Sequence, residues 1–185
     1  MANTRESECL PIVVTGGPGS GKTSLILSLF RRGVPHMPEA GRAVIRDQTR
    51  IGGQALPWAD RMLFAELMLA HDLRSYEEAR RGGWPVIMDR GIPDIIGYLD
   101  LNGLAVPEHL RRAAQMHPYH QRVFIAPFWD RIYERDEERR QDPREAEATC
   151  DVMRQTYEAL GYSLVDLPLM DVEERAAFVL GKLAR

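Results

Sequence analysis

Gly16-Gly17-Pro18-Gly19-Ser20-Gly21-Lys22-Thr23 carries more structural information than any other eight residues of this chain. It fits the pattern G-x-x-x-x-G-K-[ST], and both flanks are right for it. Leu10 to Thr15 is apolar and β-branched and reads as a buried strand, whereas Ser24 to Arg32 is apolar enough for a helix packed on a sheet. Strand, glycine loop and helix together form the setting this motif needs. Glycines let the backbone curl until several N–H groups point at one anion, and the helix N-terminus adds partial positive charge. Gly17, Pro18, Gly19, Ser20, Gly21, Lys22, Thr23 and Ser24 are therefore the expected nucleotide-binding set. Lys22 is expected to reach the β- and γ-phosphates of a nucleoside triphosphate, and the Thr23 hydroxyl to ligate Mg²⁺.

The chain has 185 residues, enough for one full core and short for two. With 24 Lys+Arg against 27 Asp+Glu its net charge is −3, so no basic field points to nucleic acid as a partner. Lys22 and Lys182 are the only lysines, which leaves Lys22 without a substitute near the loop. Cys9 and Cys150 make no disulfide framework and fit a reducing cytoplasm. No apolar run reaches the roughly 20 residues of a membrane span, and Met1 to Glu8 lacks the apolar core of a signal peptide.

Apolar runs alternate with helical patterns along the whole chain, which predicts a parallel sheet of about five strands covered on both faces. A weak strand at Val34–Pro38, with two prolines in five residues, reads as an edge. A short helix is expected from Glu39 to Gln48. A long one runs from about Ala59 to Arg81, with Leu63, Leu67 and Ala70 on one face. The strand Trp84–Asp89 finishes on a carboxylate, and helices follow from Pro93 and from Pro107. Arg122–Ala126 and Tyr162–Leu167 complete the strands. Asp171 and Glu174 cap a final helix.

The loop alone does not select a chemistry. No Asn-Lys-x-Asp follows a strand, which argues against a switch GTPase, and no strand ends Asp-Glu with a second domain behind it, which argues against a ring motor. Asp89-Arg90 at a strand end suits a small-molecule kinase, because strand C-termini gather at the ligand crevice of such sheets. A carboxylate there holds a metal-bound water or takes a hydroxyl proton, while the arginine neutralises phosphate. On a strand beside the loop, Asp89 is assigned to the metal with Thr23. Glu39, farther out, is assigned to the acceptor as candidate base, with helix capping as its alternative. Arg42 and Arg46 share a helix face and either grip an anionic acceptor or stand as a solvated pair. Trp58, Asp60, Arg61 and Phe64 are candidates to stack and hydrogen-bond a planar ring, with a core-facing Phe64 as the alternative. Arg131, Arg135 and Arg139 recur at i, i+4 and i+8 and suggest a phosphate-closing lid over about 128–145, with Arg139 the catalytic choice. Four nearby carboxylates are the alternative partners of those arginines.

The chain resembles the small P-loop ATPase/kinase proteins with an AAA-type domain that are related to the NadR-type ribosylnicotinamide kinase domain. The pieces that carry the likeness are Thr15–Thr23, Pro38-Glu-Ala-Gly-Arg42, Leu56-Pro-Trp-Ala-Asp-Arg61, Asp89-Arg-Gly-Ile-Pro-Asp94, Pro127-Phe-Trp129 with Tyr133 and Arg139, and Gly161-Tyr162 with Leu167-Pro168. They span nearly the whole chain. The resemblance implies an α/β three-layer P-loop NTPase fold, residues 1–185 as a single domain, strand order 2-3-1-4-5 and a helical lid. It implies Mg²⁺ with ATP, and places Arg135, Leu167 and Pro168 beside the nucleotide. Glu39 matches the acid of deoxynucleoside kinases, and Asp89-Arg90 the pair of thymidylate-kinase-like enzymes, which adds Arg90 to the catalytic and acceptor-binding set. It names no acceptor and leaves the assembly open, a homodimer included. Two classes of function remain, a kinase acting on a small nucleoside- or nucleotide-like acceptor, and a nucleotide-dependent binding module or ATPase acting on a protein or lipid. Under either, Lys22→Ala should remove most triphosphate affinity and leave the fold intact, which nucleotide titration and a melting curve would check.

Overall fold

The computed structural model describes residues 10–83, 85–129 and 143–184. Five parallel strands alternate with helices, in the order β1 Ile12–Gly16, α1 Lys22–Arg31, β2 His36–Met37, α2 Ala40–Ile51, α3 Arg61–Arg81, β3 Ile87–Asp89, α4 Ile92–Leu101, α5 Glu108–Met116, β4 Arg122–Ala126, α6 Pro143–Ala159, β5 Ser163–Asp166 and α7 Val172–Leu183. The sheet order is β2-β3-β1-β4-β5, as the resemblance implies, and every pairing is parallel.

The strands explain the layering. Successive strand residues face opposite sides of a sheet, so a strand covered on both faces reads as an unbroken apolar run. Val13 and Met88 point into a core shared with α2 to α6, while their neighbours Ile12, Val14 and Ile87 point into a second core under α1 and α7. All five are at most 1% exposed. β2 is the edge its prolines predict and is only two residues long.

Two expectations need correction. The buried face of α3 carries Phe64, Ala65, Met68, Leu69, Asp72, Tyr76 and Ala79. Leu63 and Ala70 are exposed and Leu67 is half-buried, so the helix is turned by about one residue from the expected face. This helix is apolar on several sides, and periodicity alone does not fix its rotation. The helix after β2 starts at Ala40, with Glu39 at the N-cap position but making no side-chain cap. Of the expected lid, residues 130–142 lie outside the described residues. Among the described residues no helix is long and apolar enough to cross a membrane.

The first loop glycine is fixed by packing. Gly16 ends β1 at φ 128°, opposite Ala126 of β4, and a Cβ there would lie 2.3 Å from the Ala126 carbonyl oxygen. Gly16→Ala should cost at least about 2 kcal/mol, from backbone strain together with displacement of β4. Urea unfolding would measure it.

Candidate active site

The glycine loop bridges β1 and α1. Gly19 and Gly21 take left-handed conformations, at φ 70° and 80°, that other residues rarely adopt. At Gly17 a Cβ would lie 2.3 Å from the Ala146 carbonyl oxygen, so the loop fits tightly under α6. The Lys22 side chain folds back into its own loop, with Nζ donating to the Gly16 carbonyl (3.0 Å), the Gly17 carbonyl (2.6 Å) and the Ser20 hydroxyl (3.2 Å). Burial, then the Arg90 charge, lowers the Lys22 pKa against the pull of Asp89, Glu39 and Asp94. An arriving phosphate would supply the counter-charge this ammonium lacks. Thr23 and Ser24 stand exposed on the first turn of α1 and face the cavity.

At the end of β3 the chain turns sharply. Arg90 is the one non-glycine residue with positive φ (72°) among the described residues, and its N–H donates to the Val14 carbonyl. Its guanidinium bridges two acids, Nε donating to Glu39 Oε1 and Nη1 to Asp94 Oδ1, both at 3.0 Å. Asp94 collects three more donors, the Thr15 hydroxyl (2.5 Å), the Gly91 N–H (3.0 Å) and the Tyr157 hydroxyl (2.6 Å). One carboxylate on α4 thus ties together the strand that feeds the loop, the Arg90 turn and α6. Sequence reading quoted Asp94 without giving it a role, because an acid in the first helical turn after Gly91 reads as an ordinary cap.

Glu39 pairs with Arg90 and Arg42. Burial works to raise its pKa, but Arg90, then Lys22 and Arg42, hold it below the usual carboxylate range. Asp89 has the opposite environment. It is 9% exposed, its Oδ1 has no hydrogen-bond partner among the described residues, and burial followed by the Glu39 charge pushes its pKa up. An orphaned carboxylate oxygen at a strand end suits a cation or a cation-bound water. Thr23 and Asp89 could hold a divalent ion. No group of three or more acidic, His or Cys ligands occurs among the described residues, so phosphate oxygens and water would supply most of the coordination, as Mg²⁺ tolerates.

A cavity of about 1620 Å³ has the loop from Pro18 to Ser24 on one side and Glu39, Arg90 and Phe64 on the other, and Asp89 lies behind its lining. Arg42 and Trp58 line it, Trp58 being 61% exposed at its mouth. Arg46 also lines it, with its charge on the exposed Asp47. Arg61 is exposed and donates to the Pro57 carbonyl instead of facing the cavity. Leu167 is a core residue, 1% exposed, and Pro168 presents its carbonyl to Arg175 Nε. The next two residues, Leu169 and Met170, line the cavity in their place. Arg131, Arg135 and Arg139 lie outside the described residues. Arg175, whose Nη1 donates to the Ser20 carbonyl beneath the Trp129 ring, went unread because a helix-face arginine gives no sign of burial.

A family model for an AAA domain matches residues 11–175. No curated protein matches the sequence. Among solved structures, a deoxyadenosine kinase from M. mycoides with bound dATP is 14% identical at TM-score 0.66, over 95% of this chain and 100% of that one. A NadR protein in complex with NR is 14% identical at TM-score 0.64, over 93% of this chain and 49% of that one. A thymidylate kinase from Ehrlichia chaffeensis is 16% identical at TM-score 0.59, over 95% and 98%. At these identities the likeness establishes the fold.

The Asp94 cluster generates a stability contrast. Asp94→Ala leaves a buried arginine and two hydroxyls short of an acceptor and should cost about 3–5 kcal/mol. Arg154→Ala, which removes an exposed pair with Asp166, should cost less than about 1 kcal/mol. Urea unfolding of the two variants would show the difference.

Proposed function

Since the chain belongs to the AAA-domain family, we propose that it works as a kinase, moving the γ-phosphate of ATP to a hydroxyl or phosphate of a small nucleoside- or nucleotide-like acceptor. The observation that carries this reading is the single cavity in which the phosphate loop faces Glu39 and Arg90, an acid and a guanidinium with no evident use in simple triphosphate binding. Fold likeness to proteins named as deoxyadenosine and thymidylate kinases supports it.

Each residue has a task under this reading. The loop N–H groups and Lys22 hold the β- and γ-phosphates, and Lys22 exchanges its loop carbonyls for phosphate oxygens. Thr23 and Asp89 would hold Mg²⁺, which when bound neutralises charge between the β- and γ-phosphates. Glu39 is kept ionised by its arginines and accepts the hydrogen bond of the acceptor hydroxyl. As the acceptor oxygen bonds to the γ-phosphorus, its proton passes to Glu39, the bond to the β-phosphate oxygen breaks, and ADP leaves. The low basicity of Glu39 suits a loose transition state in which the proton moves late and positioning does most of the work. Arg90, held from both sides by Glu39 and Asp94, stabilises the charge that develops on the transferred group. Arg42 and Trp58 bound the acceptor's path.

ADP release measured with nucleosides, nucleotides and ribosyl-pyridines tests the reading. Stimulation by one class supports a kinase. A rate unchanged by every acceptor, together with nucleotide-dependent capture of a protein or lipid, would move the assignment to a binding module. Within the kinase reading the two acids should separate. Glu39→Gln should spare ATP binding and lower acceptor-dependent kcat by about 10²-fold or more, whereas Asp89→Asn should weaken Mg²⁺ dependence and all triphosphate turnover. Equal damage to Mg·ATP binding in both variants would show that Glu39 also serves the metal.

A further inference from the structure

Phe64, Met68 and Asp72 follow at i, i+4 and i+8 along α3, and all three line the cavity. Two apolar side chains followed by an acid make an unusual strip. Asp72 is only 4% exposed, and no hydrogen bond or ion pair joins its carboxyl to another described residue. Facing this strip, α4 presents Tyr98, whose ring meets Phe64 edge-on with centroids 5.5 Å apart. The Tyr98 hydroxyl is buried with no hydrogen-bond partner among the described residues. Neither group takes part in the Glu39–Arg90–Asp94 bridge. A carboxyl with no described partner and a buried phenol hydroxyl without one, on two residues lining the same cavity, point to a bound molecule that pairs them.

We propose that Asp72 is a specificity-determining residue of the acceptor end, and that it selects a hydroxyl-bearing molecule whose planar ring offers one hydrogen-bond donor beside one acceptor. The inference rests on the kinase reading and deepens it. Phe64, Met68 and Tyr98 supply the flat apolar wall a ring needs. Asp72 supplies the polar reader. Burial, then the charges of Asp94 and Glu39, raises its pKa well above the ordinary value and so favours the protonated acid. Such an acid carries one O–H donor and one carbonyl acceptor side by side. Its complement is a lactam or carboxamide edge, where a carbonyl sits next to an N–H. A ring bearing a free carboxylate would meet the negative charges of Glu39 and Asp94 and be rejected. Tyr98, with burial raising its phenol pKa to about 12, stays protonated and offers a further donor.

The test uses the full chain with ATP and four acceptors, namely inosine, uridine and nicotinamide riboside, which carry the required edge, and D-ribose, which has no ring base. The readout is the ratio of kcat/KM for each ring-bearing acceptor over D-ribose. Asp72→Leu should lower that ratio by about tenfold or more, chiefly through KM, because a site built to hydrogen-bond an edge loses its discrimination when the reader is removed. Asp72→Asn, which keeps one donor and one acceptor in the same shape, should hold the ratio within about threefold of wild type. Asp72→Ala gives the same readout should the leucine variant fail to fold. A ratio unchanged in the leucine or alanine variant overturns the inference and leaves the kinase reading standing. An asparagine variant as impaired as leucine overturns it too, since the ligand would then require a carboxylate. Wild-type protein stimulated by none of the four acceptors, nor by nucleotides, overturns the kinase reading and this inference with it.

Discussion

The Asp94 carboxylate is the tie on which the geometry of the site depends. Its two oxygens accept from Thr15 one residue before the loop, from Arg90 and Gly91 at the end of β3, and from Tyr157 on α6. Four donors on one buried anion make a demanding polar contact, because removing the anion leaves each donor without this partner in a low-dielectric interior. They also fix three elements relative to one another. The phosphate loop, the Arg90 turn and α6 cannot shift independently without breaking a hydrogen bond at this point.

The strain at Arg90 follows from the same arrangement. A non-glycine residue at positive φ costs free energy and persists only where its surroundings hold it. Here the backbone N–H is taken by Val14 and the guanidinium by Glu39 and Asp94, so the turn is held at both ends. The outcome is a cation placed between two acids and facing the loop lysine. Glu39 and Asp89 are then treated differently by their surroundings. Glu39 touches two arginines and stays charged, whereas Asp89 pairs with none among the described residues and keeps an oxygen free.

What the sequence reveals of this arrangement is local. The glycine loop, the strand ending on Asp89-Arg90 and the proline-flanked edge strand each lie within a few residues, and each is found where its pattern places it. The strand order comes from likeness of motifs, since alternation of strands and helices by itself fits several orders. Asp94 escapes such reading because its partners Thr15 and Tyr157 are 79 and 63 positions away. Asp72 escapes because an acid on a long charged helix looks like a solvated one until the helix's rotation is known. That rotation is ambiguous for α3, where Leu63 and Leu67 compete with Phe64 and Met68 for the inner face. Burial of a polar side chain is a property of the packed whole, and periodicity of apolar residues carries no direct trace of it.

The shortness of β2 has a consequence beyond the site. A parallel sheet with an open edge offers unpaired N–H and C=O groups to any extended chain that meets it. On this edge the outermost strand is two residues long and is bracketed by Pro35 and Pro38, neither of which has an N–H to donate. A second chain laid against it would find at most one short ladder step before steric and donor mismatch stopped it. The segment that carries Glu39 to the cavity therefore also guards that side of the sheet against runaway polymerisation.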